Sequence, residues 1–214
     1  MDESKIIKHI RAERIDIVEA DGTLRMGLFN SDNVPPAMMD GVDMLPGHRS
    51  GMGASGIIFY NTEGDECGGL IFGSEKQEDG KYISNLSMTF DQYKQDQTVQ
   101  IMMTETNGER EYGFRVFDRP NNNLGEFVEV QKALSKATDG EEKECLQAEL
   151  KALSAGHALR MHAGKLKDGS VGINLYGKDQ KPRIKVYVDD NDNPCFEFLD
   201  AEGNVTKRID GATI

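Results

Sequence analysis

From Arg14 onward apolar and polar residues alternate with the period of two expected of a β-strand that buries one face. Ile15 and Ile17 flank Asp16, the turn Ala20-Asp21-Gly22 follows, and Leu24, Met26 and Leu28 then alternate with Arg25 and Gly27. This predicts a hairpin with one buried apolar face. The unit recurs: Val18-Glu19-Ala20-Asp21-Gly22 aligns with Tyr60-Asn61-Thr62-Glu63-Gly64 and with Leu199-Asp200-Ala201-Glu202-Gly203, each between two alternating runs. A short acceptor side chain closes such a turn, and glycine takes the positive φ at its end. Tyr176-Gly177-Lys178-Asp179-Gln180 is an imperfect fourth copy ahead of the alternating run Arg183 to Val188. Further strands are predicted at Leu86 to Phe90, Thr98 to Met103 and Tyr112 to Phe117, with a hairpin turn at Asn107-Gly108 between the last two. Asn191-Asp192-Asn193-Pro194 turns the chain into a strand over Cys195 to Leu199. About eleven strands joined by tight turns specify a mainly β fold. The expectation is an antiparallel β-meander of repeated hairpins, closed as a barrel or arranged as a hairpin repeat.

Three segments depart from this pattern. Ile6, Ile7 and Ile10 share one helical face behind Ser4, which predicts a short helix over 1–12 ahead of a single β domain over 13–214. Asn30 to Ser55, with Pro35-Pro36 and a Gly-rich stretch around His48, is too long for a plain connector. Phe127 to about His162 reads as an inserted helical hairpin, the insertion spanning 126–163. Its break at Asp139-Gly140 leads into a capping box, after which Leu146, Leu150 and Leu153 share one face. This pair is expected to act as a lid packed on the sheet and covering an edge, with docking of a partner as the alternative.

Charge narrows the partners. With 25 Lys+Arg against 37 Asp+Glu the chain carries −12, which repels nucleic acid and anionic membrane surfaces. Acidic turns account for part of that charge, and they place many of the 23 glycines. No run approaches the roughly 18 apolar residues of a membrane span, and charges interrupt the first apolar residues too often for a signal-peptide core. The expected compartment is the cytoplasm. Cys67, Cys145 and Cys195 form no CxxC pair, so neither a zinc knuckle nor a disulfide framework is indicated.

Gly69-Leu70-Ile71-Phe72-Gly73, the run Thr89-Phe90-Asp91-Gln92-Tyr93-Lys94-Gln95-Asp96-Gln97, Phe117-Asp118-Arg119-Pro120 and the carboxy-terminal hairpin sequence Gly172-Ile173-Asn174-Leu175-Tyr176 together resemble a group of bacterial proteins known chiefly as hypothetical open reading frames. The resemblance covers most of Arg14 to Ile209. It implies a bacterial, β-rich protein and supplies no activity and no catalytic residues.

Candidate ligand-binding residues are His48, Arg49, Asp91, Tyr93, Asp118 and Arg119. His48 and Arg49 lie where glycines let backbone approach a ligand. Asp118-Arg119 ends a strand, a place used more often for a terminating ion pair. Asp91, Tyr93 and Asp96 occupy a polar stretch between two strands, the ordinary setting of a solvated turn. His157 and His162, five apart near the expected helix end, lack the i, i+4 spacing of a metal pair and suit a charge at a helix carboxy terminus. Asp189 to Asn193 lacks the glycine and glutamate of a calcium loop, which leaves a hairpin turn. No nucleophile elbow or phosphate-binding loop occurs, so no catalytic residue, metal or cofactor is assigned. The expected role is a non-enzymatic interaction or scaffold protein, with a protein partner or self-association. A small-ligand-binding barrel with 30–55 as its mouth, and an enzyme using His48, Arg49, Asp118 and Arg119, are the alternatives.

Overall fold

The computed structural model describes residues 7–211. Its strands are β1 (Arg14–Val18), β2 (Leu24–Phe29), β3 (Met38–Met39), β4 (Val42–Asp43), β5 (Ala54–Tyr60), β6 (Glu66–Lys76), β7 (Tyr82–Asp91), β8 (Gln97–Thr106) and β9 (Glu109–Asp118). Two helices follow, α1 (Leu124–Lys136) and α2 (Gly140–Leu153), and then β10 (Ala158–Lys165), β11 (Val171–Tyr176), β12 (Pro182–Val188), β13 (Pro194–Leu199) and β14 (Val205–Asp210). All strands except β3 and β4 form one antiparallel 12-stranded sheet in chain order. The sheet is open, with β1 and β14 as its edges. A closed barrel is therefore ruled out: the two end strands bond only to their sequence neighbours.

The acidic turns repeat more often than the sequence alignment shows. Besides the turn from Gln92, whose positive φ falls on Lys94, seven hairpins close with the same pair of backbone bonds, from the first turn residue to the carbonyl four residues on and from the fourth residue back to the first. They begin at Glu19, Asn61, Gln77, Leu166, Gly177, Asp189 and Asp200. The fourth position has positive φ in each and is glycine in five of them, with Gln180 and Asp192 as the exceptions. Asp189 shows the side-chain half of the device, since its Oδ1 accepts the Asn191 and Asn193 amides at 2.9 Å. The stretch from Asp189 to Asn193 is thus a hairpin loop.

The 30–55 loop and the helical hairpin pack together on one face of the sheet. In the loop over 30–55, Val34 and Met38 pack against Phe29, Ile58 and Tyr60, and Tyr60 Oη donates to the Pro36 carbonyl at 3.1 Å. A second core forms where Val128 of α1 meets Ala37, Met39 and Met44 of that loop. Helix α1 is capped by Asn123, whose side chain accepts the Gly125 amide, and α2 by Asp139 in the predicted manner. The helical hairpin corrects the lid expectation. Helix α1 packs on the loop and α2 on α1, so the leucine strip does not close over the sheet. The insertion is also shorter than 126–163: β10 begins at Ala158, which places His162 in mid-strand, away from any helix end. Of the helix expected over 1–12, residues 1–6 lie outside the described residues and 7–12 have no regular structure.

Mid-strand glycines serve a different purpose from the turn glycines. Gly113, Gly164 and Gly172 are direct register partners on three adjacent strands. A Cβ on Gly113 would run into the Ala163 carbonyl, and one on Gly172 into the Val186 carbonyl. Only glycine lets the strands approach this closely. No helix among the described residues is long and apolar enough to cross a membrane.

Candidate functional site

Four loops meet beside the start of α1. Lys94, in the β7–β8 turn, binds Asp40 of the β3–β4 hairpin and lies 3.2 Å from Glu63 Oε2 in the β5–β6 turn. Tyr93 Oη donates to Glu63 at 2.9 Å, and the buried Asp65 accepts the Asp40 amide at 2.6 Å. The Asn123 amide completes the knot by donating to Asp40 at 2.6 Å. The Asp40 and Glu63 carboxylates hold the Lys94 ammonium well above its ordinary range, while the Tyr93 hydroxyl and Lys94 draw Glu63 down. Tyr93 therefore joins loops together.

Behind this knot sits a charged cluster that collects three of the residues singled out in the sequence. Arg49 donates through Nη1 to the Pro35 carbonyl at 2.9 Å and through Nη2 to both Glu66 oxygens at 2.7 and 2.8 Å. Arg119 donates to the Gln97 carbonyl at 2.7 Å, approaches Asp96 Oδ2 to 3.2 Å and meets His157 Nδ1 at 2.7 Å. A guanidinium only donates, so Nδ1 accepts and the His157 proton resides on Nε2. Burial, and then the Arg119 charge, lower the pKa of His157 and keep it neutral at pH 7. Asp91 lies between these pairs. Its Oδ1 is buried without a hydrogen bond, and burial together with the Glu66 and Asp96 carboxylates pushes its pKa up to about 7, against the pull of Arg119 and Arg49.

This arrangement holds the long loop and the helix start on the sheet; Glu66 and Asp96 are spent on Arg49 and Arg119, while Asp91 Oδ1 is left without a hydrogen bond. A cavity of about 270 Å³ beside it is lined by Asp96, Arg119 and His157 and by Leu124, Phe127 and Leu153. Asp118 stays outside the cluster, paired with Arg160. His48 is exposed and its imidazole makes no hydrogen bond. The four residues His48, Arg49, Asp118 and Arg119 are thus not assembled into one constellation. Glu66, Asp96 and His157 complete the cluster, and no local sequence signal ties them together. Among the described residues, no group of three or more His, Cys, Asp or Glu is placed to hold a metal ion.

The larger feature is a face. One register row starts at Ile15 and runs through Leu28, Ile57, Leu70 and Met88 to Ile101. It continues through Phe114, Ala163, Ile173, Val186 and Phe196 to Ile209 at the far edge. Each strand of the sheet contributes one residue, every one is apolar, and none is buried. Ile101 is 50% exposed, and Phe90 in the next row 53%. On the opposite face the matching row runs through Arg115, His162, Asn174, Lys185, Glu197 and Arg208. There His162, Asn174 and Glu197 are buried at 1%, 7% and 5% exposure. They are shielded by long polar neighbours, as where Arg115 Nε reaches His162 Nδ1 at 3.3 Å and both Tyr187 and Arg208 bond Glu197. The expectation of a buried apolar face is overturned for this single chain: in β2, Gly27 and Phe29 are buried, while Met26 and Leu28 lie on the open side.

In comparisons with known proteins, no family model and no curated sequence matches this chain.

Proposed function

We propose that this chain is a non-enzymatic interaction protein whose working surface is the apolar face of the sheet. The observation that carries the reading is the burial pattern: the opposite face is covered, by the loop over β2 and β5 and by long polar side chains over β9 to β14, while an apolar row crossing the whole sheet is left open. Exposed apolar patches of this extent mark interaction surfaces, because a soluble monomer rarely shows more than a few hundred Å² of contiguous apolar area. The edges of the face support the same reading. At one end of the strands it finishes in Ser74, Ser84 and the ion pair of Arg110 with Glu105 at 2.9 Å, so an apolar centre is bordered by a polar rim, as in a protein interface. Catalysis receives less support, because the Arg49–Glu66 and Arg119–Asp96 pairs saturate each other.

Hydroxyl-radical footprinting inside the producing cells tests this. Phe90 and Ile101 are expected to be protected, relative to the urea-unfolded chain, as strongly as the buried Tyr60. Labelling at the rate of the exposed Tyr93 would remove the interaction reading.

A further inference from the structure

We infer that the occupant of the apolar face is a second copy of this chain; the inference rests on the interaction reading above and names its partner. The first argument is area. The chain exposes 13875 Å², whereas a compact monomer of 23.7 kDa exposes about 9,800 Å². The surplus of about 4,000 Å² exceeds the roughly 1,000–2,500 Å² per partner that an obligate dimer buries.

The second argument is shape. Twelve strands at about 4.8 Å spacing make a face about 50 Å across. A covering partner must present an equally broad, uncharged surface with the same twist, and this chain carries one. The central row holds no charge that would select an oppositely charged protein. Two such faces related by a two-fold axis bring like rows together in an isologous contact, at the roughly 10 Å spacing of stacked sheets. The third argument is access. The 30–55 loop and both helices lie on the face opposite the apolar row, so none of them obstructs face-to-face stacking. Their charges then point outward from the pair.

A lipid surface fits worse. β1, β2 and β11 to β14 are 5 to 7 residues long, short of the roughly nine or more that a strand needs to span a bilayer. The acidic chain is also repelled by anionic headgroups.

The test is the mass of the full chain by sedimentation equilibrium over a dilution series, with two variants. Wild type is expected at twice 23.7 kDa or a higher multiple. Ile101→Lys combined with Ile173→Lys places two charges in the central row. Both side chains are already about half exposed in the single chain, so the monomer keeps its β signal while association weakens by on the order of 100-fold or more. Gln100→Lys, one residue away and on the polar face, is expected to associate like wild type. A wild type found only at 23.7 kDa, or a double variant that associates normally, overturns the inference. If the double variant fails to fold, footprinting of wild type decides: labelling of Ile101 and Ile173 that falls as concentration rises, or that stays low at a dimeric mass, supports the second copy, and labelling as free as in the urea-unfolded chain at every concentration overturns it. A monomeric wild type whose face is nevertheless protected in cells ends this inference alone. A face labelled freely in cells ends the interaction reading as well.

Discussion

Replacing Asp91 with asparagine keeps the shape of a side chain whose Oδ1 is buried without a partner and removes its titration. Burial and the Glu66 and Asp96 carboxylates raise Asp91 from 3.8 to about 7 in the folded state. The unfolded chain ionises near 3.8, so between these values the folded protein holds the extra proton and stability falls as pH rises. Below the unfolded value the cost is absent; above about 7 it is complete. A displacement of about three at 1.36 kcal/mol each amounts to on the order of 4 kcal/mol at pH 8 to 9. Asp91→Asn carries no such cost. The variant should therefore be more stable than wild type by a few kcal/mol at pH 8.5, with the advantage shrinking toward zero near pH 4. Glu66, raised chiefly by its own burial, shifts both proteins alike and largely cancels in the difference. Urea unfolding of both proteins at half-unit steps from pH 4 to 9 measures it. An advantage that does not change with pH, or a variant less stable at pH 8.5, would show that Asp91 is not held in a charge-opposed, buried setting.

Arg49→Ala leaves Glu66, whose side chain is only 17% exposed, without its counter-charge and frees the Pro35 carbonyl. The expected loss is about 3–5 kcal/mol, with faster amide exchange across 34–50. Arg49→Lys should recover only part of it, since a single ammonium nitrogen cannot stand in for both Nη2 on Glu66 and Nη1 on the Pro35 carbonyl; a loss under about 1 kcal/mol for the alanine variant contradicts the clamp. Gln180 occupies the left-handed turn position at φ +61° that glycine fills in five sister turns, and its amide gives up only a 3.5 Å contact to the Leu159 amide. Gln180→Gly is expected to raise stability by about 1 kcal/mol in a thermal melt, and a drop would mean that the contact outweighs the backbone strain.

Local features were readable because their causes are local. An acidic residue beside a glycine closes a turn within five positions, so Glu19 to Thr23 and Asp200 to Asn204 could be recognised as the same device from the chain alone. The period of two told which residues share a face in the alternating runs, and it placed Ile15, Leu28 and Val186 of the central row. The capping aspartate of α2 stands next to the helix it starts. Charge convergence was a different matter. Arg49, Glu66, Asp91 and Arg119 are separated by up to 70 positions, and they meet only because the long loop folds back onto the strand that holds Glu66. No spacing rule expresses that encounter. Asp91 and Tyr93, neighbours in one polar stretch, part company for the same reason: one turns under the loop and the other joins the Lys94 knot.

Alternation along each strand thus determined the meander, its turns and the division of side chains between two faces, since these follow from backbone geometry over a few residues. Which face would be covered was decided in three dimensions, by where the loop and helices landed and by how far long polar side chains could lie over one another. Closure was decided there too: joining the edges requires β1 and β14, at opposite ends of the chain, to meet, and each is instead paired only with its sequence neighbour. A pattern of apolar residues specifies a surface that must leave water, and in this chain the intramolecular contacts do not remove it.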